Sequence, residues 1–319
     1  MMKSIRTLVR QDREKYVIPR RVQDVIPIQK IWEDGIFLTG GRYAKTFRFT
    51  DINYQVASEP DKEKMFRGYS ALINSLDCGA TTKITIFNHK MSQINFEKSI
   101  LMPMQWDGLD DYREEYNQML LDKATNGNGI VQEKFLTVSV RKKDVDAARS
   151  FFARVEADLS SHFAALGSIC GGPMNAMERL QILHRFYRRG EENEFRFSLR
   201  DSARKGHSFR DYICPDSMER HSDYLQIGER YARVLYLKDY ASYIQDDFVS
   251  ELTDLNRDMM LSIDMVPIPT DEAVREVENR LLGVETNITN WQRRQNSNNN
   301  FSAVVPYDME LQRKESKEF

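Results

Sequence analysis

IFLTGGRYAKTFRF, residues 36–49, carries the reading from which the fold follows. Ile36 and Leu38 alternate with their neighbours before Gly40-Gly41, and Phe47 and Phe49 alternate after it. Period-two alternation across a diglycine predicts a β-hairpin, because a tight two-residue turn needs both central residues at positive φ. The next elements are equally regular. Ser58-Glu59-Pro60-Asp61 predicts a helix start, with Ser58 as cap and Asp61 three residues on as in a capping box. Met65, Tyr69, Leu72, Ile73 and Leu76 then recur at helical spacing, and Gly79 reads as the stop. Ile84 and Ile86 mark a strand. Tyr112, Tyr116, Met119 and Leu120 mark a helix over 110–124, and Leu136, Val138 and Val140 another strand. Asp144 opens a long helix with Val145, Ala148, Phe152, Val155 and Leu159 as its apolar stripe.

The second half restarts this order. Tyr43-Ala44-Lys45 has a counterpart in Tyr231-Ala232-Arg233, and Asp51 in Asp239, both at an offset of 188. A helix at 245–256 answers the one at 60–76, and Leu261-Ser262-Ile263 answers Ile84-Thr85-Ile86 at an offset of 177. Chance likeness between two αβ stretches is the competing reading. The order predicts an α+β fold: two ferredoxin-like units of antiparallel sheet with helices on one face, the second incomplete, joined by a helical connector. The expected boundaries are a basic N-terminal arm at 1–30, a first unit at 31–166, a connector at 167–222 and a second unit at 223–319. Near the C-terminus Pro267 and Pro269 stop a strand and Thr270 can cap a helix. Val274, Val277, Leu281, Val284, Ile288 and Trp291 form a heptad-like seam, read as a helix packed within the chain. An Asn-rich turn at 296–300 precedes a further helical pattern from Tyr307 to Phe319. Alternation at Phe195 and Phe197 predicts a strand that buries one face.

Composition narrows the function classes. The chain has 319 residues, 41% hydrophobic and 29% charged, enough apolar mass for about two domains. Its formal net charge of −2 argues against a globally basic nucleic-acid binder. Cys78, Cys170 and Cys214 form no CxxC pair, which disfavours a zinc ribbon or a disulfide framework and points to a reducing compartment. No run reaches the roughly 18–20 apolar residues of a membrane span, and the N-terminus lacks a secretory h-region. None of the fifteen glycines is followed by lysine, so the G-x-x-x-x-G-K-[ST] phosphate loop is absent. Gly127 and Gly129 lack the third glycine of a dinucleotide fingerprint and read as a turn. His89, His162, His184, His207 and His221 are never closer than fourteen residues, which leaves no local metal-ligand pair. Asp110-Asp111 and Glu114-Glu115 read as a solvated helix face. No catalytic, nucleotide-binding or metal residue is assigned.

Two basic stretches remain. Residues 1–21 carry a local net charge of +5, with Lys3, Arg6, Arg10 and Arg13 around an apolar stripe of Ile5, Leu8 and Val9. This pattern suits an anionic membrane surface or a partner protein, and equally a mobile tail. In the connector, Arg185, Arg188, Arg189, Arg204 and Lys205 lie among Phe186, Tyr187, Phe195, Phe197 and Phe209. Basic residues interleaved with aromatics can hold single-stranded nucleic acid. Glu191, Glu192, Glu194 and Asp201 dilute the charge, so an interface surface is the preferred reading.

The runs TDEAVREVENRLLGVETNITNWQRRQNSNNNFSAVVPYDMELQRKESKEF, RTLVRQDREKYVIPRRVQDVIPIQKIWEDGIF and LTDLNRDMMLSIDMVPIPTDE resemble the N-terminal region of TraE/TrsE-type conjugation proteins. These are VirB-family ATPases of type IV secretion systems. The resemblance implies a subunit in conjugative DNA transfer, in the bacterial cytoplasm and peripheral at the inner face of the membrane. It implies channel and inner-membrane components as partners, and self-association. It places the ATP- and Mg-dependent motor beyond Phe319, so ATP and Mg are implied only for that domain and no cofactor for this segment. What remains for these residues is a non-catalytic assembly and docking role, with single-stranded DNA binding as the alternative.

Overall fold

The computed structural model describes residues 19–52, 54, 56–76, 79–90, 100–126, 130–239, 248–255, 257–297 and 305–318. Strands β1 (Ile28–Ile31), β2 (Phe37–Thr39) and β3 (Arg42–Phe49) open the fold as an antiparallel meander. Gly40 and Gly41 sit at φ 54° and 70°, so the diglycine makes the tight turn its sequence predicts. Helix α1 (Glu59–Asn74) follows. Ser58 donates to the Asp61 carboxylate at 2.6 Å and caps no backbone N–H, so the expected capping box does not form. The helix ends at Ser75 in a right-handed conformation, well before Gly79. Strand β4 (Ala80–Lys90), α2 (Asp110–Asn126) and β5 (Ile130–Val140) come next. Helix α3 (Val145–Ala165) begins where Asp144 accepts from the Ala147 N–H at 2.8 Å. Of the stripe read from the sequence it buries Ala148, Phe152, Val155 and Leu159, while Val145 in the first turn is half-buried.

After α3, β6 (Cys170–Pro173) pairs with β3, and α4 (Ala176–Tyr187) starts in a full capping box between Asn175 and Glu178. Phe195 and Phe197 form no strand; they stack on each other, and Phe197 is buried beside Ile213 and Leu180. The short helix α5 (Leu199–Lys205) ends at Gly206 in the left-handed conformation. A small antiparallel sheet follows, made of β7 (Met218–Arg220), β8 (Leu225–Ile227) and β9 (Arg230–Ala232). Then come α6 (Phe248–Thr253), β10 (Met259–Met265), α7 (Thr270–Ser297) and α8 (Tyr307–Glu318).

The fold is α+β with antiparallel sheets, but the two halves do not build two equivalent sheets. The large sheet runs β1-β2-β3-β5-β4-β10, so the strand expected to seed a second sheet joins the first. Its supposed companion hairpin, β8–β9, belongs to the separate three-stranded sheet. An open edge on β4 offers β10 unmet backbone groups, which a local sequence comparison does not see. Nor are the helices confined to one face of the sheet. Phe135 and Leu136 are neighbours on β5 and therefore point to opposite faces, yet they are 3% and 1% exposed. Leu136 and Phe49 face α1 and α3, with Phe49 stacked on Phe163 at 5.3 Å. Phe135 packs with Phe87, Met174 and Ile182 of α4 on the other face.

The chain divides into two compact units that do not follow the boundaries at 166/167 and 222/223. One comprises residues up to Ser75 with Thr82–Asp264; the other comprises Leu76–Thr81 and the chain from Met265 onward. In the second unit α7 and α8 pack on one another. Of the seam residues, Ile288 is buried and Val277, Leu281, Val284 and Trp291 are half-buried, whereas Val274 is exposed. Among the described residues no helix is long and apolar enough to cross a membrane.

Candidate functional site

The basic residues read as a surface patch are placed by α4 and the chain after it. Arg185 Nη1 reaches across to Glu133 Oε2 on β5 at 2.6 Å. The same oxygen meets His89 Nε2 of β4 at 3.1 Å, while Oε1 accepts from Arg48 of β3 at 3.0 Å. Three side chains, from the two strands that flank β5 and from one helix, thus converge on a carboxylate only 15% exposed. Burial opposes the Glu133 charge, but the His89 hydrogen bond and the Arg185 and Arg48 charges outweigh it and hold the pKa below the usual glutamate value. Glu133 is therefore ionised at neutral pH and acts as an acceptor; it has no proton to donate as a general acid.

Arg188 and Arg189 are likewise engaged. Arg188 donates to Glu191 at 2.7 Å, to Asp216 at 2.9 Å and to the Cys214 carbonyl at 2.8 Å. Arg189 pairs with Asp258, and both burial and the nearby Arg230 charge lower its pKa. Arg204 and Lys205 are exposed at the end of α5. The five basic residues thus separate into three that neutralise carboxylates and two at a solvent-facing helix end. Lys3, Arg6, Arg10 and Arg13 lie outside the described residues.

Sequence reasoning passed over Arg179. Its guanidinium donates to the carbonyls of Gly35 and Ala44, each at 2.7 Å, and lies 3.9 Å from the centre of the Phe37 ring. Burial lowers its pKa to about 9. This arrangement ties the β1–β2 turn to the first turns of α4. The turn needs glycine at position 35: φ is 79°, and a Cβ there would fall inside the Met174 carbonyl. Nothing local in the sequence announces it, because Arg179 and Gly35 are 144 residues apart.

A cavity of about 390 Å³ opens between α1, α3 and the sheet. Phe49, Met65, Leu72, Ile84, Leu136, Phe163 and Leu166 line it with apolar surface, and Thr50, Asp51 and Ser168 contribute polar groups. Phe66 and Tyr69 line it from α1 while remaining exposed. Although the Tyr69 side chain is in part exposed, desolvation of the portion that the fold covers raises its pKa, so the phenol stays neutral. An apolar pocket with few polar groups suits an apolar side chain or a small apolar molecule. Among the described residues, no three His, Cys, Asp or Glu side chains are placed to hold a metal ion.

Comparison with known proteins adds no relative: no family model matches the chain, and no curated protein is significantly similar to it.

Proposed function

We propose that this chain is the non-catalytic N-terminal assembly region of a conjugative DNA-transfer ATPase of the TraE/TrsE type, in a type IV secretion system. The reading rests on the resemblance of the three quoted runs, and one structural observation favours docking over the DNA-binding alternative. Arg185, Arg188 and Arg189 are each bound to carboxylates, so contact with phosphates would first have to break ion pairs. In this reading the sheet-and-helix unit derives from a ferredoxin-like plan, and the protein works at the cytoplasmic face of the inner membrane beside channel components and further copies of itself. ATP and Mg belong to a following motor domain.

The test is twofold. Disrupting the reading frame on its own mobile element should reduce conjugative transfer to background, with recovery on complementation; undiminished transfer sinks the proposal. The purified 319-residue chain should neither hydrolyse ATP nor bind single-stranded DNA at low salt. Robust hydrolysis would overturn the non-catalytic role. Salt-dependent DNA binding abolished by Arg204→Glu with Lys205→Glu would establish the alternative.

A further inference from the structure

Residues 100–109 and α2 present an apolar, acidic face whose geometry is held firmly. Asn117 is buried and exchanges two hydrogen bonds with the backbone of Met102, at 2.8 and 2.9 Å. The Asp110 carboxylate accepts from the backbone N–H groups of Gln105 and Trp106, at 3.0 and 2.8 Å. Arg113 bridges Asp110 and Asp107, and its hydrogen bonds hold the Asp107 carboxyl well below the usual carboxylate range. These contacts fix Trp106 at φ 58° with its side chain outward. Trp106 is 90% exposed and Tyr112 71%, and Met102, Tyr116 and Met119 are also exposed.

Charge accompanies the apolar surface. At 3.6 residues per turn, Tyr112, Tyr116 and Met119 share one stripe of α2, and Asp111 and Glu115 fall on the stripe beside it. Both carboxylates are exposed. A face of aromatic rings bordered by carboxylates attracts a partner that is cationic and apolar at once. An anionic lipid surface would be repelled by it.

The chain's own sequence contains a segment of that chemistry. Residues 1–21 carry a net charge of +5 around Ile5, Leu8 and Val9. The chain that continues from this arm is anchored at the β1 end of the large sheet, where Gln23 bonds Asp211 and Arg210 bonds the Ile28 carbonyl. Helix α2 connects β4 and β5, separated from β1 by β2 and β3 in the sheet order. We propose that the basic arm of one copy docks on the α2 face of a neighbouring copy. Arm and face are different surfaces, so the contact is heterologous and builds rings or open chains. This inference uses charge, exposure and topology alone and does not depend on the conjugation reading.

A charge swap on the full chain tests it. By sedimentation equilibrium at low salt, the wild type should self-associate with concentration, and added salt should weaken the association. An arm variant (Lys3→Glu, Arg6→Glu, Arg10→Glu, Arg13→Glu) and a face variant (Asp111→Lys, Glu115→Lys) should each associate about tenfold more weakly or worse. Mixed together they should associate again, because each reversed surface now meets its complement. Trp106→Ser removes an exposed apolar anchor without changing charge and should weaken association too. Far-UV circular dichroism should be unchanged in all three variants, since the altered side chains on α2 and Trp106 are exposed. A wild type that stays monomeric, reversed variants that associate like the wild type, or a mixture that fails to recover would each overturn the proposal.

Discussion

Two glycines with nearly the same backbone angle separate conformational strain from packing. Gly35 has φ 79° and Gly41 φ 70°, so alanine at either incurs the left-handed penalty of about 1–2 kcal/mol. The surroundings differ. A Cβ on Gly41 meets nothing within 4 Å, whereas one on Gly35 collides with the Met174 carbonyl oxygen and stands 3.1 Å from the Asn175 Cα. Those atoms are backbone at the start of α4 and cannot rotate away. The turn must retreat, which loosens the Arg179 bond to the Gly35 carbonyl and the bond from Ala176 N–H to Glu33. A charged hydrogen bond is worth about 1.5–3 kcal/mol and a neutral one about 1. Gly35→Ala should therefore cost about 2–4 kcal/mol more than Gly41→Ala. Equilibrium urea unfolding followed by tryptophan fluorescence reads the difference, since Trp32 lies in the same turn, 5.7 Å from the Tyr43 ring. Equal losses in the two variants would refute the idea that backbone contact with α4, and not φ alone, fixes this glycine.

Glu133→Ala leaves Arg185, Arg48 and His89 without their shared carboxylate; with Glu133 15% exposed, the expected loss is about 2–4 kcal/mol by the same unfolding assay. The pH dependence follows from the direction of the Glu133 shift. Its folded pKa lies below the ordinary 4.5, so the stabilisation is complete above that value and is lost as pH falls through the lowered pKa; the loss should be smaller in Glu133→Gln when thermal melts are compared down the acid range. Arg179→Leu keeps apolar bulk over Phe37 but strands the Gly35 and Ala44 carbonyls, for an expected cost of about 2–4 kcal/mol, measured by denaturant unfolding.

What the sequence disclosed and what it concealed divide along the range of the interactions involved. The diglycine hairpin, the Asp144 cap and the α3 stripe depend on residues within a turn or two of one another, and all three stand in the structure. The pairing of β10 in the large sheet depends on an edge supplied by β4 more than 160 residues earlier, with the Lys83 ammonium of β4 lying 3.3 Å from the Asp264 carboxylate of β10. No periodicity records such a choice. Internal likeness between the halves favoured two sheets because it compares elements and is blind to open edges. The two-sided burial of the sheet had a legible signal in Phe135-Leu136, where adjacent large apolar residues require cover on both faces.

The same distinction governs how the arginines must be read. Along the sequence, Arg185, Arg188 and Arg189 stand in a basic, aromatic stretch, with their nearest acidic residues on the C-terminal side. In the fold, Glu133 arrives from 52 residues upstream, and Asp216 and Asp258 from downstream. A charge counted in one dimension as available is neutralised in three. The reverse holds on α2, where Asp110-Asp111 and Glu114-Glu115 read as an ordinary solvated face. There Arg113 takes up Asp107 and Asp110, while Asp111 and Glu115 stay exposed beside Tyr112 and Tyr116. A near-neutral chain gains attraction from segregated charge, here an anionic aromatic face on α2 and a cationic stretch of sequence at residues 1–21. Binding to a polyanion would require the opposite arrangement, a free basic groove, and the three central arginines of that stretch are already paired. The distribution therefore weighs toward contacts between protein surfaces.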